Sequence, residues 1–70
     1  MTIRFDKSLY SEKAIRQAIA DYTSLAEISM TSSPESCVCT IVRSDYPIET
    51  TALEFSNYVL NLTVMGEKAE

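Results

Sequence analysis

The sequence contains no histidine and no tryptophan, and its 70 residues include one glycine, two prolines and two cysteines. Without histidine, neither a Ser-His nor a Cys-His nucleophile can be built within this chain. A single glycine excludes the glycine-rich loops that hold phosphate groups. The carboxylates of Asp21, Glu49 and Glu54 fall at helix positions that face water, so they do not predict an acid–base pair in a cleft. We therefore expect no enzymatic activity and no cofactor for this chain alone.

Long apolar runs are also missing, since none exceeds three residues, as at Tyr58 to Leu60. Such runs are too short to span a membrane. The N-terminal residues 1–6 alternate polar and apolar side chains and are not followed by the apolar core of a signal peptide. The chain is therefore expected to be cytoplasmic, away from membranes, with reduced cysteines.

A surplus of positive charge is absent, because ten acidic residues outweigh six basic ones and the net charge is −4. Proteins that bind nucleic acid generally carry a basic patch. Here the bases are scattered along the sequence: Arg4, Lys7, Lys13, Arg16, Arg43 and Lys68. We expect no nucleic-acid partner.

The composition that is present is typical of a packed globular chain, with 46% apolar and 23% charged residues. The length allows one domain, which we place at residues 1–66, followed by a solvated tail at residues 67–70. Domains this small bury barely enough apolar surface to offset the entropy of ordering the chain. Self-association as a homodimer, or a permanent partner, is therefore expected.

The first half of the chain predicts a strand and then a helix. Ile3 and Phe5 alternate with polar residues in the segment 2–6, which is the period of a half-buried strand. Ser11 is a good helix N-cap. After it, apolar residues recur at helical spacing for about four turns: Ala14, Ile15, Ala18, Ile19, Tyr22 and Leu25.

The second half predicts a hairpin and a second helix. Two β-patterned segments, residues 26–31 and 37–43, flank a turn at residues 32–36 that contains Pro34. Pro47 suits the first turn of a helix, and Gly66 suits its C-terminal end. Between them an apolar seam repeats at 4-3-4-3 spacing: Ile48, Ala52, Phe55, Val59 and Leu62.

The resulting order is β-α-β-β-α, an α+β fold in which two helices cover one face of a three-stranded sheet. This is a truncated ferredoxin-like split βαβ unit that lacks its last strand. The third strand is expected between the first two, which leaves the first strand as an open edge; a very short fourth strand at residues 62–65 stays an alternative. The uncovered sheet face would carry Arg4, Glu27 and Ser29 with one of two sets, either the two cysteines or Val38, Thr40 and Val42.

Cys37 and Cys39 are two residues apart on a strand, so their thiols point to the same face. Two thiols are too few for a structural zinc site, which takes four ligands, although two copies of the chain would supply four. The competing interpretation is that both cysteines act as small apolar residues in a buried strand. A disulfide between them is disfavoured by geometry.

The four tyrosines have an amphipathic ring that suits either a binding surface or the edge of a small core. We expect core-edge packing for all of them: Tyr10, Tyr22, Tyr46 and Tyr58.

Two stretches carry a family resemblance. The segment from Phe5 to Ile15, with Ala18 and Tyr22 after it, resembles the opening of the small D-type proteins of the His-Xaa-Ser system. Residues 55–61 (F-S-N-Y-V-L-N) are similar to the helical L-N-D-Y-x-L-R signature of that family, with Asn61 where the family tends to have arginine. The resemblance implies a small accessory protein that works beside radical-SAM enzymes, which modify a ribosomally made peptide. It implies no chemistry of the chain's own.

Taken together, these patterns suggest a non-catalytic module that holds a protein or peptide partner, such as a radical-SAM maturase or its precursor peptide. The expected binding surface is the open edge strand, made of Thr2, Ile3, Arg4, Phe5 and Asp6, because an unpaired edge accepts an added strand. The same edge can also pair with a second copy. The alternative is a homo-oligomeric domain that binds a small ligand or metal through Cys37 and Cys39. A purely structural subunit of a larger enzyme is not separable from the first hypothesis by sequence.

Overall fold

A computed structural model describes the backbone of residues 1–68 and the side chains of residues 1–66. It contains three strands, β1 (Thr2–Asp6), β2 (Ala26–Ser32) and β3 (Ser36–Ser44), and two helices, α1 (Glu12–Asp21) and α2 (Ile48–Lys68). The predicted order β-α-β-β-α is confirmed. The part of the predicted tail at residues 69–70 lies outside the described residues.

The sheet has the strand order β1-β3-β2, and β3 pairs with both neighbours in antiparallel fashion. Strands β1 and β2 therefore run parallel to each other on either side of β3, as the split βαβ arrangement requires. The central position of β3 and the open edge at β1 are confirmed.

Both helices pack on one face of the sheet, and the buried core lies between the two layers. Phe55 and Val59 from α2 and Ile15 from α1 are fully buried there. From the sheet, Phe5 and the alternating β3 residues Cys37, Cys39 and Ile41 complete this core. The cysteines therefore lie inside, and the set on the uncovered face is Val38, Thr40 and Val42.

A β-bulge interrupts the pairing of β2 with β3. Glu27 pairs with Arg43 and Ile28 with Ile41, so Val42 is an extra residue on β3. Beyond the bulge, Ser44 faces the helices, and its hydroxyl lies 2.6 Å from that of Thr51 on α2. The bulge thereby changes which residues of β3 face the helix layer.

Helix α1 begins as predicted, since the Ser11 hydroxyl accepts the N–H of Ala14. The prediction that its apolar stripe continues helically to Leu25 is wrong, because the helix ends at Asp21. The Tyr22 carbonyl accepts the N–H groups of both Leu25 and Ala26, which closes a turn that leads directly into β2. Thr23 and Ser24 are poor helix formers, which favours the end of α1 before them. From Ala26 onwards, pairing with β3 determines the conformation.

Helix α2 follows Pro47, whose carbonyl accepts the N–H of Thr51. The predicted seam faces the core, with Ala52, Phe55 and Val59 buried. The prediction that α2 ends at Gly66 is wrong, since α2 continues to Lys68. Residues 62–65 are helical, which eliminates the fourth strand. A hydrogen bond across the helix layer fixes this end of α2, because the Ser11 N–H donates to the Thr63 hydroxyl at 3.2 Å.

Three tyrosines pack at the edge of the core as expected. Tyr10 contacts Phe5 edge-to-face, Tyr22 contacts Phe55 in the same manner, and Tyr58 lies against Tyr22. The expectation is wrong for Tyr46, which is exposed in the β3–α2 connection. The Ser44 hydroxyl holds the backbone of Tyr46, because it donates to the Tyr46 carbonyl and accepts the Tyr46 N–H, and the ring is left in solvent.

Candidate partner-binding edge

Two hydrogen bonds at the ends of β1 establish which of its peptide groups face β3. The Met1 carbonyl accepts the N–H of Ile41, and the Lys7 N–H donates to the Glu35 carbonyl. In an antiparallel pair, successive residues alternate between facing the partner strand and facing away from it. With the observed register, the peptide groups of Ile3 and Phe5 therefore face β3.

The peptide groups of Thr2, Arg4 and Asp6 consequently point away from β3, towards the open edge. The Asp6 carbonyl is already engaged, because it accepts the N–H groups of Leu9 and Tyr10. The edge therefore offers N–H and C=O from both Thr2 and Arg4, and an N–H from Asp6. These five groups lie along residues 2–6, where an additional strand can form hydrogen bonds with them.

The five predicted edge residues thus have unequal roles. The side chains of Thr2, Arg4 and Asp6 are exposed on the uncovered sheet face, beside their outward peptide groups. Ile3 is half-buried at the rim of the helix layer. Phe5 belongs to the core, where its ring packs against Tyr10 and Phe55, so its side chain is not available to a partner.

Charges at this edge are arranged asymmetrically. The Asp6 carboxylate accepts the backbone N–H and the hydroxyl of Ser8, both at 2.8 Å. These two bonds, with a smaller contribution from the charge of Arg4, lower the pKa of Asp6 below its ordinary value. The ion pairs found within residues 1–66 involve Lys7, Arg16 and Arg43 as the cations and do not include Arg4. Arg4 is therefore the cation that this edge can offer a partner, since it forms no ion pair among the described side chains.

A polar cluster, which we call the clasp, joins the ends of the two outer strands. The Glu12 carboxylate contacts Lys7 at 2.9 Å, Arg16 at 2.7 Å and the Ser32 hydroxyl at 3.1 Å. Lys7 also donates to Ser32 at 2.8 Å. These partners, Lys7 first, lower the pKa of Glu12 from 4.5 to about 2. The clasp ties the segment after β1 to the end of β2 through the start of α1.

Strand β2 forms a second open edge of the sheet, which the sequence-based hypothesis does not include. The Ser33 N–H donates to the Ser36 carbonyl, which fixes the pairing phase, so Ser29 and Thr31 face β3 while Ile28 and Met30 face outwards. A shallow groove of about 310 Å³ runs beside this edge, lined by Arg16, Ile19, Ile28 and Met30. The sequence-based strand order already implies this edge, because a three-stranded sheet with the third strand in the centre has both other strands at its edges.

The thiols of Cys37 and Cys39 are completely buried between β3 and the helix layer. Burial, with a smaller effect of the neighbouring Cys37, raises the pKa of Cys39 to about 11. No group of three or more metal-ligating side chains occurs within the described part of the chain. A site shared by two copies would require these thiols to leave the core, so their geometry matches small apolar residues.

The carboxylates predicted to face water do so, since Asp21, Glu49 and Glu54 are all exposed. Asp21 accepts hydrogen bonds from Gln17 and from the Tyr58 hydroxyl, and the latter bond raises the pKa of Tyr58. These contacts fix the outer surface between α1 and α2 and form no cleft with opposed acidic and basic groups.

Comparisons with known proteins returned no match: no family model, no curated protein and no solved structure corresponds to this chain. Within residues 1–68, no helix combines the length and apolar character needed to cross a membrane.

Proposed function

We propose that this chain is a non-catalytic binding module that holds an extended peptide, or an extended segment of a protein, as a fourth strand beside β1. The observation that supports this is the pair of outward-facing N–H and C=O groups on Thr2 and Arg4. An added strand gains affinity from such main-chain hydrogen bonds, while the side chains beside them determine specificity.

The chemistry of the edge specifies an alternating peptide. On the uncovered face, the partner's side chains lie beside Arg4, which favours a carboxylate at the position opposite it. On the other face they lie beside half-buried Ile3, which favours an apolar residue. The preferred ligand is therefore an extended segment with apolar residues on one face and an acidic residue on the other.

The test is binding of a displayed library of short random peptides to the wild-type protein and two variants. Arg4→Pro removes the outward N–H and leaves the bonds to β3 in place, because proline is tolerated where the N–H of an edge strand faces solvent. We expect this variant to lose binding. Arg4→Ala is the matched control, since it removes the same charge and keeps the N–H; it should bind more weakly while keeping the preference for apolar alternation.

Two results would contradict the proposal: no enriched peptides with the wild-type protein, or unchanged binding by Arg4→Pro. Substituting Ile3 with proline is a poorer test, because the Ile3 N–H faces β3 and its loss disrupts the sheet itself. Pairing of two β1 edges is a separate outcome, recognised by a change of mass when Arg4→Pro is compared with wild type.

The biological setting that we propose is cytoplasmic peptide maturation beside a radical-SAM enzyme, where the precursor peptide or the maturase supplies the extended segment. The resemblance of residues 5–15 and 55–61 to the D-type proteins of the His-Xaa-Ser system supports it. A radical-SAM gene and a short precursor gene next to the gene for this chain would support the setting, and a purified precursor that fails to bind would contradict it.

A further inference from the structure

Helix α2 carries a second apolar stripe on its outer side, in addition to the seam that packs on the sheet. Leu53, Leu60 and Val64 form this stripe, with 65%, 45% and 39% of their surfaces exposed. Asn57 lies between Leu53 and Leu60, so the four residues, which we call the outer stripe, follow 4-3-4 spacing. Leucine, asparagine and valine at these intervals match the d and a positions of two helices that pack together.

The outer stripe points away from the core. At 3.6 residues per turn, its four members lie within roughly 60° of one another around the helix axis, and their centre lies roughly 170° from Phe55 and roughly 130° from Val59, which are both buried. Within the described part of the chain, α2 contacts chiefly α1 and β3, and its Phe55 also touches Phe5 of β1; the outer stripe is exposed and lies outside these contacts. The outer stripe is therefore an unpartnered face about three turns long.

We propose that the outer stripe binds the same stripe of a second copy of this chain, with the two α2 helices antiparallel. In this register Leu53 packs against the partner's Val64, and Asn57 against the partner's Leu60, so that the same contacts occur twice about a two-fold axis. The two Asn57 side chains lie about 4.5 Å apart along the axis, three residues at 1.5 Å each. That spacing lets the two amides reach each other, as polar a-position residues do when they fix the register of a helix pair.

Charge determines the antiparallel orientation. Glu49 and Glu54 occupy the g and e positions that flank the outer stripe. In a parallel pair, each Glu49 would lie beside the partner's Glu54, and like charges would repel twice. In the antiparallel pair, Glu54 lies beside the partner's Asn61, whose amide can donate a hydrogen bond to the carboxylate.

A second copy fits this face better than a membrane surface does. Helices that lie on membranes carry lysine and arginine beside their apolar residues, whereas here the flanking charges are glutamates and the chain has a net charge of −4. Asn57 in the middle of the stripe would also have to enter the lipid without a partner. Association through α2 leaves both sheet edges free, so a dimer presents two β1 edges.

The first test is solution mass by light scattering over a range of protein concentrations. Wild type should approach twice 7.8 kDa, and the double variant Leu53→Glu with Leu60→Glu should remain at 7.8 kDa. Leu9→Glu is the matched control, because Leu9 is equally exposed but lies in the β1–α1 connection; its mass should equal that of wild type. A monomeric wild type, or a dimer that survives the double variant, overturns the proposal.

The second test does not depend on glutamate substitutions. Leu53→Cys and Val64→Cys variants are mixed and oxidised; the two native thiols are buried and do not interfere. An antiparallel pair predicts crosslinks between the two different variants and few within either one. Crosslinking of Leu53→Cys with itself indicates a parallel pair and overturns the proposal, as does the absence of any crosslink.

Discussion

The two open edges of the sheet differ in which side chains accompany their outward-facing peptide groups. On β1, the residues whose peptide groups face outwards, Thr2 and Arg4, also have exposed side chains on the uncovered face. On β2, the outward peptide groups belong to Ile28 and Met30, whose side chains point to the helix layer and pack in or against the core. The phase of pairing with β3 produces this difference.

The difference means that the side chains beside the outward peptide groups of β1 can be substituted without changing the core. A substitution at Thr2 or Arg4 alters the contacts of an added strand and leaves every buried side chain in place. A substitution at Ile28 or Met30 alters the packing of the core at the same time. The hydrogen-bonding groups of the edge and the stability of the fold can therefore be altered separately on β1 but not on β2, which favours β1 as the proposed binding edge.

The largest effect that tests this comparison is expected from proline at residues whose N–H faces β3. Ile3→Pro and Ser29→Pro each leave a carbonyl of the central strand without its donor, which should cost about 1–3 kcal/mol beyond the corresponding alanine substitution. Urea denaturation of each proline and alanine pair measures the difference. A proline variant at either residue that is as stable as its alanine counterpart would show that the pairing phase is wrong.

The controls for that experiment use the residues that face outwards. Arg4→Pro against Arg4→Ala, and Met30→Pro against Met30→Ala, remove an N–H that has no partner on β3. The expected difference in unfolding free energy within each pair is well below that at Ile3 and Ser29. Met30→Ala should itself be less stable than wild type because the thioether packs against the core, whereas Arg4→Ala should be close to wild type.

An intermediate effect is expected in amide hydrogen exchange, which tests the same alternation without substitutions. The N–H groups of Ile3, Phe5, Ser29 and Thr31 should exchange slowly, and those of Arg4, Ile28 and Met30 quickly, when followed by NMR. Addition of a bound peptide should slow Arg4 and leave Met30 unchanged. Equal protection of neighbouring residues on β1 would argue against an open edge there.

The smallest effect concerns the clasp that joins the two edges. Because the folded-state pKa of Glu12 is about 2, below its ordinary value of 4.5, its ionised form stabilises the folded protein above pH 4.5, and this contribution is lost as the pH falls from 4.5 to 2. Glu12→Gln should lower stability slightly at neutral pH and flatten the loss over that acid range. Parallel acid denaturation curves for variant and wild type would exclude this role.

Sequence periodicity was sufficient for the fold because each element has one face buried. The 4-3-4-3 seam of α2 and the alternation around Ile3 and Phe5 correspond to residues that are buried in the core or packed against it. Whether the cysteines lie in the core or on the uncovered face could not be predicted, since a strand that is apolar on both faces does not indicate which face meets the helices. Only the packing of the helices on the sheet shows that the cysteines lie in the core. The predicted stripe of α1 includes both Tyr22 and Leu25, but only Tyr22 packs against the core, because the turn after Tyr22 and the pairing of β2 override the periodic signal.

The details of the binding edge could not be predicted to the same extent. The sequence identified β1 as an edge, but the direction of each peptide group depends on the register with β3, which is set by tertiary pairing. The predicted binding segment therefore includes Phe5, although its peptide group faces β3 and its ring lies in the core. The helical pattern of Leu53, Asn57, Leu60 and Val64 was present in the sequence, but it gains meaning only when the structure shows which side of α2 the sheet occupies.

The bulge at Val42 has a consequence for the attachment of α2. If β3 paired with β2 without the bulge, with Val42 opposite Glu27 and Arg43 opposite Ala26, the end of β3 would be turned over. The guanidinium of Arg43 would then lie above the apolar layer in place of Ser44, and the hydroxyl that meets Thr51 would face solvent. The bulge thus determines which side chains at the end of β3 face the helix layer where the chain enters α2.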